Sequence, residues 1–174
     1  MPLPNQTLGV ANRLAVMFAS GLCSTVALAQ TPDPTTTDSV DDVAEVVSRL
    51  IRFDTSNTGE LETTKGEAEC AQWIAEQLAE VGYETEYVES GAPGRGNVFA
   101  RLPGADRTRG ALMIHGHLDV VPAEPADWSV HPFSGAIEDG YVWGRGAVDM
   151  KDMVGMTLVL ARHFRRAGIV PPRD

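Results

Sequence analysis

Met113-Ile114-His115-Gly116-His117-Leu118-Asp119-Val120-Val121-Pro122 is the stretch on which the reading of this chain turns. An apolar run rich in branched residues that ends in two histidines and an aspartate is how a buried strand looks where it delivers polar groups to a site at its tip. Side chains alternate faces along an extended chain, so His115, His117 and Asp119 share one side if the chain stays extended that far. Such a side suits a metal. A neutral imidazole binds a borderline metal such as zinc, and a nearby carboxylate can accept its other ring N–H, fixing the tautomer. His117 with Asp119 is read as a ligand and its orienting partner. Two histidines near a strand end are, by themselves, more often partly buried polar residues than ligands, and spacing alone does not separate the two readings.

A second segment shifts the balance. Trp143-Gly144-Arg145-Gly146-Ala147-Val148-Asp149-Met150-Lys151-Asp152 puts a carboxylate at a glycine-flanked turn just ahead of a long amphipathic stretch. Gly144 and Gly146 would relieve backbone crowding beside it.

With both segments in view, the sequence resembles the M20 metallopeptidases and their amidohydrolase relatives, the group of carboxypeptidases, aminoacylases, acetylornithine deacetylases and succinyl-diaminopimelate desuccinylases. The residues that carry the resemblance are His115 to Pro122, Asp127-Trp128 with Pro132-Phe133, and Gly144 to Lys151. It extends over roughly residues 40 to 174 and corresponds to the first part of such an enzyme. Residue by residue, the resemblance implies that His117 binds one zinc, Asp149 bridges two, and Asp119 orients His117 and serves catalysis in that way. His115 is not a ligand in that pattern, and neither is His131. Family members often carry Gly after the Asp-Met-Lys run where this chain has Asp152, an acidic residue that a helix N-terminus favours. The resemblance also implies a cis peptide after Asp149.

Composition fits a soluble globular domain: 174 residues, 43% hydrophobic and 22% charged. The net charge of −10 argues against a nucleic-acid partner. Arg162, Arg165 and Arg166 form the one local basic cluster and read as a solvated helix end. Residues 1–29 read as a candidate signal peptide: Arg13, an apolar run from Leu14, and Ala27-Leu28-Ala29 ahead of Gln30. That run is too short and too rich in small residues for a membrane span. A true signal makes the protein secreted or periplasmic. A start codon nearer Val40 makes it cytoplasmic. With the signal removed, Cys70 alone remains, which excludes an intrachain disulfide and a cysteine-based metal site.

Residues 30–39 read as a linker, and 40–174 as the N-terminal part of a catalytic domain. Within it, Asp38 or Ser39 caps a helix that runs to Phe53, and Asp54 to Gly59 reads as a connector. A second helix is expected over Thr64–Val81 with Gly82 as its stop. Strands follow over Tyr83–Glu89 and Asn97–Leu102, then the strand Gly110–His117, expected to be central. Asp139-Gly140 marks a hairpin. Trp128, Phe133 and Trp143 either wall a pocket or, more simply, anchor a long loop. A third helix runs from Asp149 to Ala167 with Met153, Met156, Thr157, Leu160, Ala161 and Phe164 inward. The fold class is α/β, the N-terminal part of a three-layer zinc-peptidase-like domain with a mixed sheet between helices.

The chemistry this implies is zinc-assisted hydrolysis of an amide, with two zincs per complete site and cobalt able to substitute. Substrates would be small peptides or acylated amino acids. The family's general base, a Glu-Glu pair on the next strand, and its remaining zinc ligands have no counterpart in this sequence, so the chain alone is expected to be inactive. A lid or dimerisation domain beyond residue 174 would carry a homodimer contact. The alternative is a naturally truncated, non-catalytic metal-binding or structural module.

Overall fold

Val46, Val47, Leu50 and Ile51 recur at three- and four-residue spacing, which puts them on one face of a helix. A computed structural model of the chain describes residues 37–174 and the side chains of residues 42–174. The candidate signal peptide and most of the linker lie outside the described residues. α1 spans Thr37–Ile51, so it begins inside the stretch read as linker and ahead of the expected cap. α2 spans Ala68–Ala79, β1 Thr85–Glu89, β2 Gly96–Ala100, β3 Ile137–Glu138, β4 Tyr141–Val142 and α3 Lys151–Arg166. The architecture is mixed α/β, as the sequence implies.

Leu50 from α1, Cys70, Ile74 and Leu78 from α2, Tyr83 beyond it and Leu158 from α3 form the core. α2 stops where Gly82 takes φ of +86°, a conformation that costs glycine no Cβ clash, and the Tyr83 amide returns to the Leu78 carbonyl at 3.1 Å. β1 and β2 pair antiparallel, Thr85 opposite Ala100, and lie against α2. β3 and β4 form the expected hairpin, with Asp139 and Gly140 both at positive φ as a tight two-residue turn requires.

Three expectations need correction. The run Gly110–His117 forms no strand among the described residues, and no sheet lies between the helices there. Leu112, Met113 and Ile114 are exposed. A strand is held by ladder hydrogen bonds to a neighbour, and among the described residues the one backbone–backbone bond of this run is the Leu112 amide to the Asp174 carbonyl at 2.7 Å; pairing with Thr55 and Asn57 begins beyond it, at Val120. There, among the described residues, a single parallel bridge joins Ser56 to Val120.

The second correction concerns α3. Its inward face holds Lys151, Gly155 and Leu158, with Val154 and Ala161 beside them, while Met153, Met156 and Leu160 are exposed. Apolar residues cover more than one face of this helix, so periodicity admits several orientations. Gly155 selects one, because a Cβ there would sit 2.6 Å from Val47 Cγ2 and only a glycine lets α1 approach so closely.

The third concerns the arginines. Arg162 is not left to solvent: it donates to the Gln77 carbonyl at 2.6 Å and pairs with Glu80 at 3.1 Å. Arg165 donates to the Gly82 carbonyl and lies over the Tyr83 ring. Carbonyls at a helix C-terminus lack intrahelical donors, and α3 supplies them to the end of α2.

Candidate metal centre

Two tethers bring the two motif segments together. The first holds the 118–120 stretch against the loop after α1. Thr55 Oγ1 donates to the Leu118 carbonyl at 2.6 Å, the Val120 amide to the Thr55 carbonyl at 3.1 Å, and the Asn57 amide to the Val120 carbonyl at 2.8 Å. Asp119 therefore sits between two residues whose backbone is tied on either side, and Val120 is buried.

The second tether is Lys151. Its side chain is fully buried, and Nζ donates to the Leu50 and Phe53 carbonyls at 2.9 and 2.7 Å, two acceptors at the C-terminal end of α1. Burial holds its amine below the usual 10.5, against the opposing pull of the Cys70 and Asp54 charges. The start of α3, and with it Asp149 two residues upstream, is fixed to the same helix end from which the Thr55–Asn57 loop departs. Gly146, at φ +85°, completes the turn where a Cβ would meet Val120 Cγ1 at 2.7 Å.

Between these tethers His117 and Asp149 meet. His117 Nε2 lies 3.0 Å from Asp149 Oδ1, and Nδ1 lies 3.0 Å from the Asp119 carbonyl and 3.1 Å from Asp119 Oδ1. Both ring nitrogens thus face acceptor oxygens. A neutral imidazole carries one N–H, so one of these contacts needs a second positive centre, either another proton or a metal ion. The ring's pKa is raised above 6.5: burial pulls it down, and the hydrogen bonds and charges of Asp119 and Asp149 outweigh that.

The donor set fits zinc. Imidazole nitrogen and carboxylate oxygen are zinc's common protein ligands, and two of them at about 2.1 Å from a tetrahedral ion stand roughly 3.4 Å apart. The observed 3.0 Å is within a few tenths of that separation. Asp149 is 86% exposed, so its carboxylate stands open on the other side. The Asp149–Met150 peptide is cis, as the resemblance implies. Among the described residues no group of three or more His, Cys, Asp or Glu is arranged to hold a metal. A cleft of about 350 Å³ lies over the pair, bordered by Asn57, Val121, Arg145 and Val148.

The remaining candidates lie elsewhere. His115 is exposed. His131 Nδ1 accepts the Phe133 amide at 3.2 Å within its own turn. Trp128 stacks under the Arg145 guanidinium and Trp143 against Tyr141; neither borders the cleft, and neither is among the residues packed on the core cluster. Sequence reasoning missed two residues. Lys151 was visible only as part of a motif, with no sign that it would be buried. Asn57 lay in a stretch read as a connector, yet Nδ2 donates to Asp119 Oδ2 at 2.8 Å.

A buried anchor, two tethered turns and a histidine held between carboxylates bring residues of both motif segments to one cleft. Known proteins resemble the chain over the same segments. Residues 113–174 match the model of Peptidase family M20/M25/M40, so the M20 resemblance holds over both motif segments. Several relatives carry the name succinyl-diaminopimelate desuccinylase. That of Methylorubrum populi is 40% identical over 105 residues, covering 58% of this chain and 26% of the relative. That of Paracoccus denitrificans is 38% identical over 137 residues, 78% of this chain and 32% of the relative. That of a Psychrobacter species is 32% identical over 141 residues, 76% and 33%. The chain spans about a quarter to a third of the length of these relatives. Among the described residues no helix is long and apolar enough to cross a membrane.

Proposed function

We propose that this chain supplies the N-terminal part of the metal site of an M20-type hydrolase that cleaves amide bonds. His117 and Asp149 are the metal ligands, and Asp119 orients His117. The carrying observation is the 3.0 Å approach of His117 Nε2 to Asp149 Oδ1 while Nδ1 is already engaged by Asp119. When bound, zinc would polarise a scissile carbonyl and bring the pKa of a bound water down towards about 7.

What the chain's own residues do follows from their bonds. Asp119 accepts the Nδ1 proton of His117, which leaves Nε2 with its lone pair towards the metal position. Asp149, open to solvent, directs one oxygen at the same point and keeps the other free for a second ion. Lys151 and the Thr55–Asn57 loop hold these groups in register. The general base and the remaining ligands come from residues other than these. The substrate class is an acylated amino acid or small peptide, and the relatives' name points towards N-succinyl amines.

Cobalt titration followed by visible absorption, backed by equilibrium dialysis with zinc, tests the ligand assignment. The 174-residue chain is expected to bind a single ion weakly and to release no amine from N-succinyl or N-acetyl amino acids. His117→Ala and Asp149→Ala should each abolish binding, and Asp119→Asn should weaken it about 10- to 100-fold. Binding that survives His117→Ala overturns the assignment. Amine release by the chain alone overturns the view that base and ligands lie elsewhere. In the protein expressed from its complete gene, chelation and His117→Ala should both stop amine release, and activity surviving either sinks the hydrolase reading.

A further inference from the structure

Asp119 has two carboxylate oxygens, and the metal reading uses one of them. Oδ1 faces His117 Nδ1 at 3.1 Å, beside the Asp119 backbone carbonyl that meets the same nitrogen at 3.0 Å. Oδ2 accepts Asn57 Nδ2–H at 2.8 Å from a residue 62 positions earlier in the chain. An asparagine amide can turn over, exchanging donor for acceptor, unless its oxygen is also engaged. Here it is engaged: Asn57 Oδ1 accepts the Gly59 amide at 3.0 Å and lies 3.3 Å from Thr64 Oγ1. With donors on its oxygen side, the amide must present its NH₂ to Asp119. The Asn57 backbone is equally fixed, its amide donating to the Val120 carbonyl at 2.8 Å.

We propose that Asn57 is a positioning residue for the metal centre, acting through Asp119 on His117. Held at Oδ2, the carboxylate is restrained about its last torsion, so Oδ1 stays beside His117 Nδ1. That favours the proton on Nδ1 against the pull of Asp149 Oδ1, 3.0 Å from Nε2, because the hydrogen bond made by one ring nitrogen decides which nitrogen carries the proton. The Asp54–Gly59 loop thus biases the tautomer of the ligand through Asp119. This rests on the metal reading of His117, but its test does not require a metal.

The experiment is ¹⁵N NMR of the histidine rings in the full 174-residue chain, with chelator present and at a pH where the ring is neutral. His117 of the unaltered chain should show the Nδ1–H form predominating. Asn57→Leu keeps the size and removes the donor, while Asn57→Asp replaces it with a repelling charge. In both, the Nε2–H share should rise while the far-ultraviolet circular dichroism stays unchanged. An unchanged tautomer ratio in both variants overturns the proposal. If neither variant folds, the Asn57 side-chain amide signals decide: they must move in Asp119→Ala, and signals that stay put overturn it. Zinc affinity should fall about 10-fold in Asn57→Leu, the lower end for partners outside the ligand set. A parent chain that binds no zinc sinks the metal reading and leaves the tautomer result standing.

Discussion

His117 Nε2 and Asp149 Oδ1 stand 3.0 Å apart although 32 positions separate them in the chain, and a positive centre belongs between them. Without metal that centre is a proton. His117 should therefore titrate above 6.5, its proton held against burial by the Asp119 carbonyl and the Asp149 and Asp119 carboxylates. The folded state then holds the proton more tightly than the unfolded state. The stability this contributes is fully present below about 6.5 and is lost as the pH rises through the folded-state value. A proton NMR titration with chelator present reads the midpoint directly. Asp149→Asn should bring it down, and a parent midpoint at or below 6.5 would contradict the geometry.

Lys151 is tested by removing its charge and keeping its length. Lys151→Met spares the cost of burying an ammonium but leaves the Leu50 and Phe53 carbonyls without their side-chain donor. The Leu50 carbonyl keeps the Phe53 amide at 3.2 Å, so the Phe53 carbonyl is the acceptor left unpaired; a buried one costs about 1–3 kcal/mol, and a net loss of roughly 1 kcal/mol is expected from urea unfolding. An unchanged urea midpoint would mean that Lys151 does not anchor α3 to α1.

Gly155→Ala sets helix propensity against packing. Alanine favours the helix by about 1 kcal/mol, but its Cβ would stand 2.6 Å from the stiff, branched Val47 side chain. Overpacking of this kind costs about 1–3 kcal/mol. The substitution should therefore destabilise the chain by roughly 1 kcal/mol, and Val47→Ala in the same background should recover part of the loss. A more stable Gly155→Ala chain would show that α1 and α3 do not meet at this point.

Cys70 lies in the core, and burial is the main reason its thiol is pushed up to about 11, with the Lys151 charge opposing and the Glu67 charge adding. A raised thiol pKa contributes stability below about 9, the ordinary value, and loses it as pH climbs towards 11. Chemical denaturation at pH 8, 9.5 and 10.5 should show a decline that flattens in Cys70→Ala. Alkylation by iodoacetamide at pH 8 should proceed only in denaturant.

The elements were legible where local chemistry is sufficient. Gly82 ends α2 because it alone accepts positive φ cheaply, and Asp139-Gly140 turns the hairpin for the same reason. His117, Asp119 and Asp149 were legible because two short motifs bracket them. The inward face of α3 was not. Met153, Met156 and Leu160 satisfy a helical period as well as Val154, Leu158 and Ala161 do, and the choice belongs to Gly155 and its fit to Val47. The run from Leu112 to Ile114 carries strong strand propensity, but a strand needs a partner, and the described residues supply one only at Leu112.

The sequence by itself determined which residue types stand near the cleft and that Asp119 would lie beside His117, since the two lie two positions apart on one short stretch. Only the tertiary structure decided that Asn57 grips the far oxygen of Asp119 and that Lys151 ties α3 to the end of α1. The physical reason is distance along the chain. Hydrogen bonds over 62 and 101 positions depend on how the helices pack and leave no local pattern for periodicity or motif spacing to report.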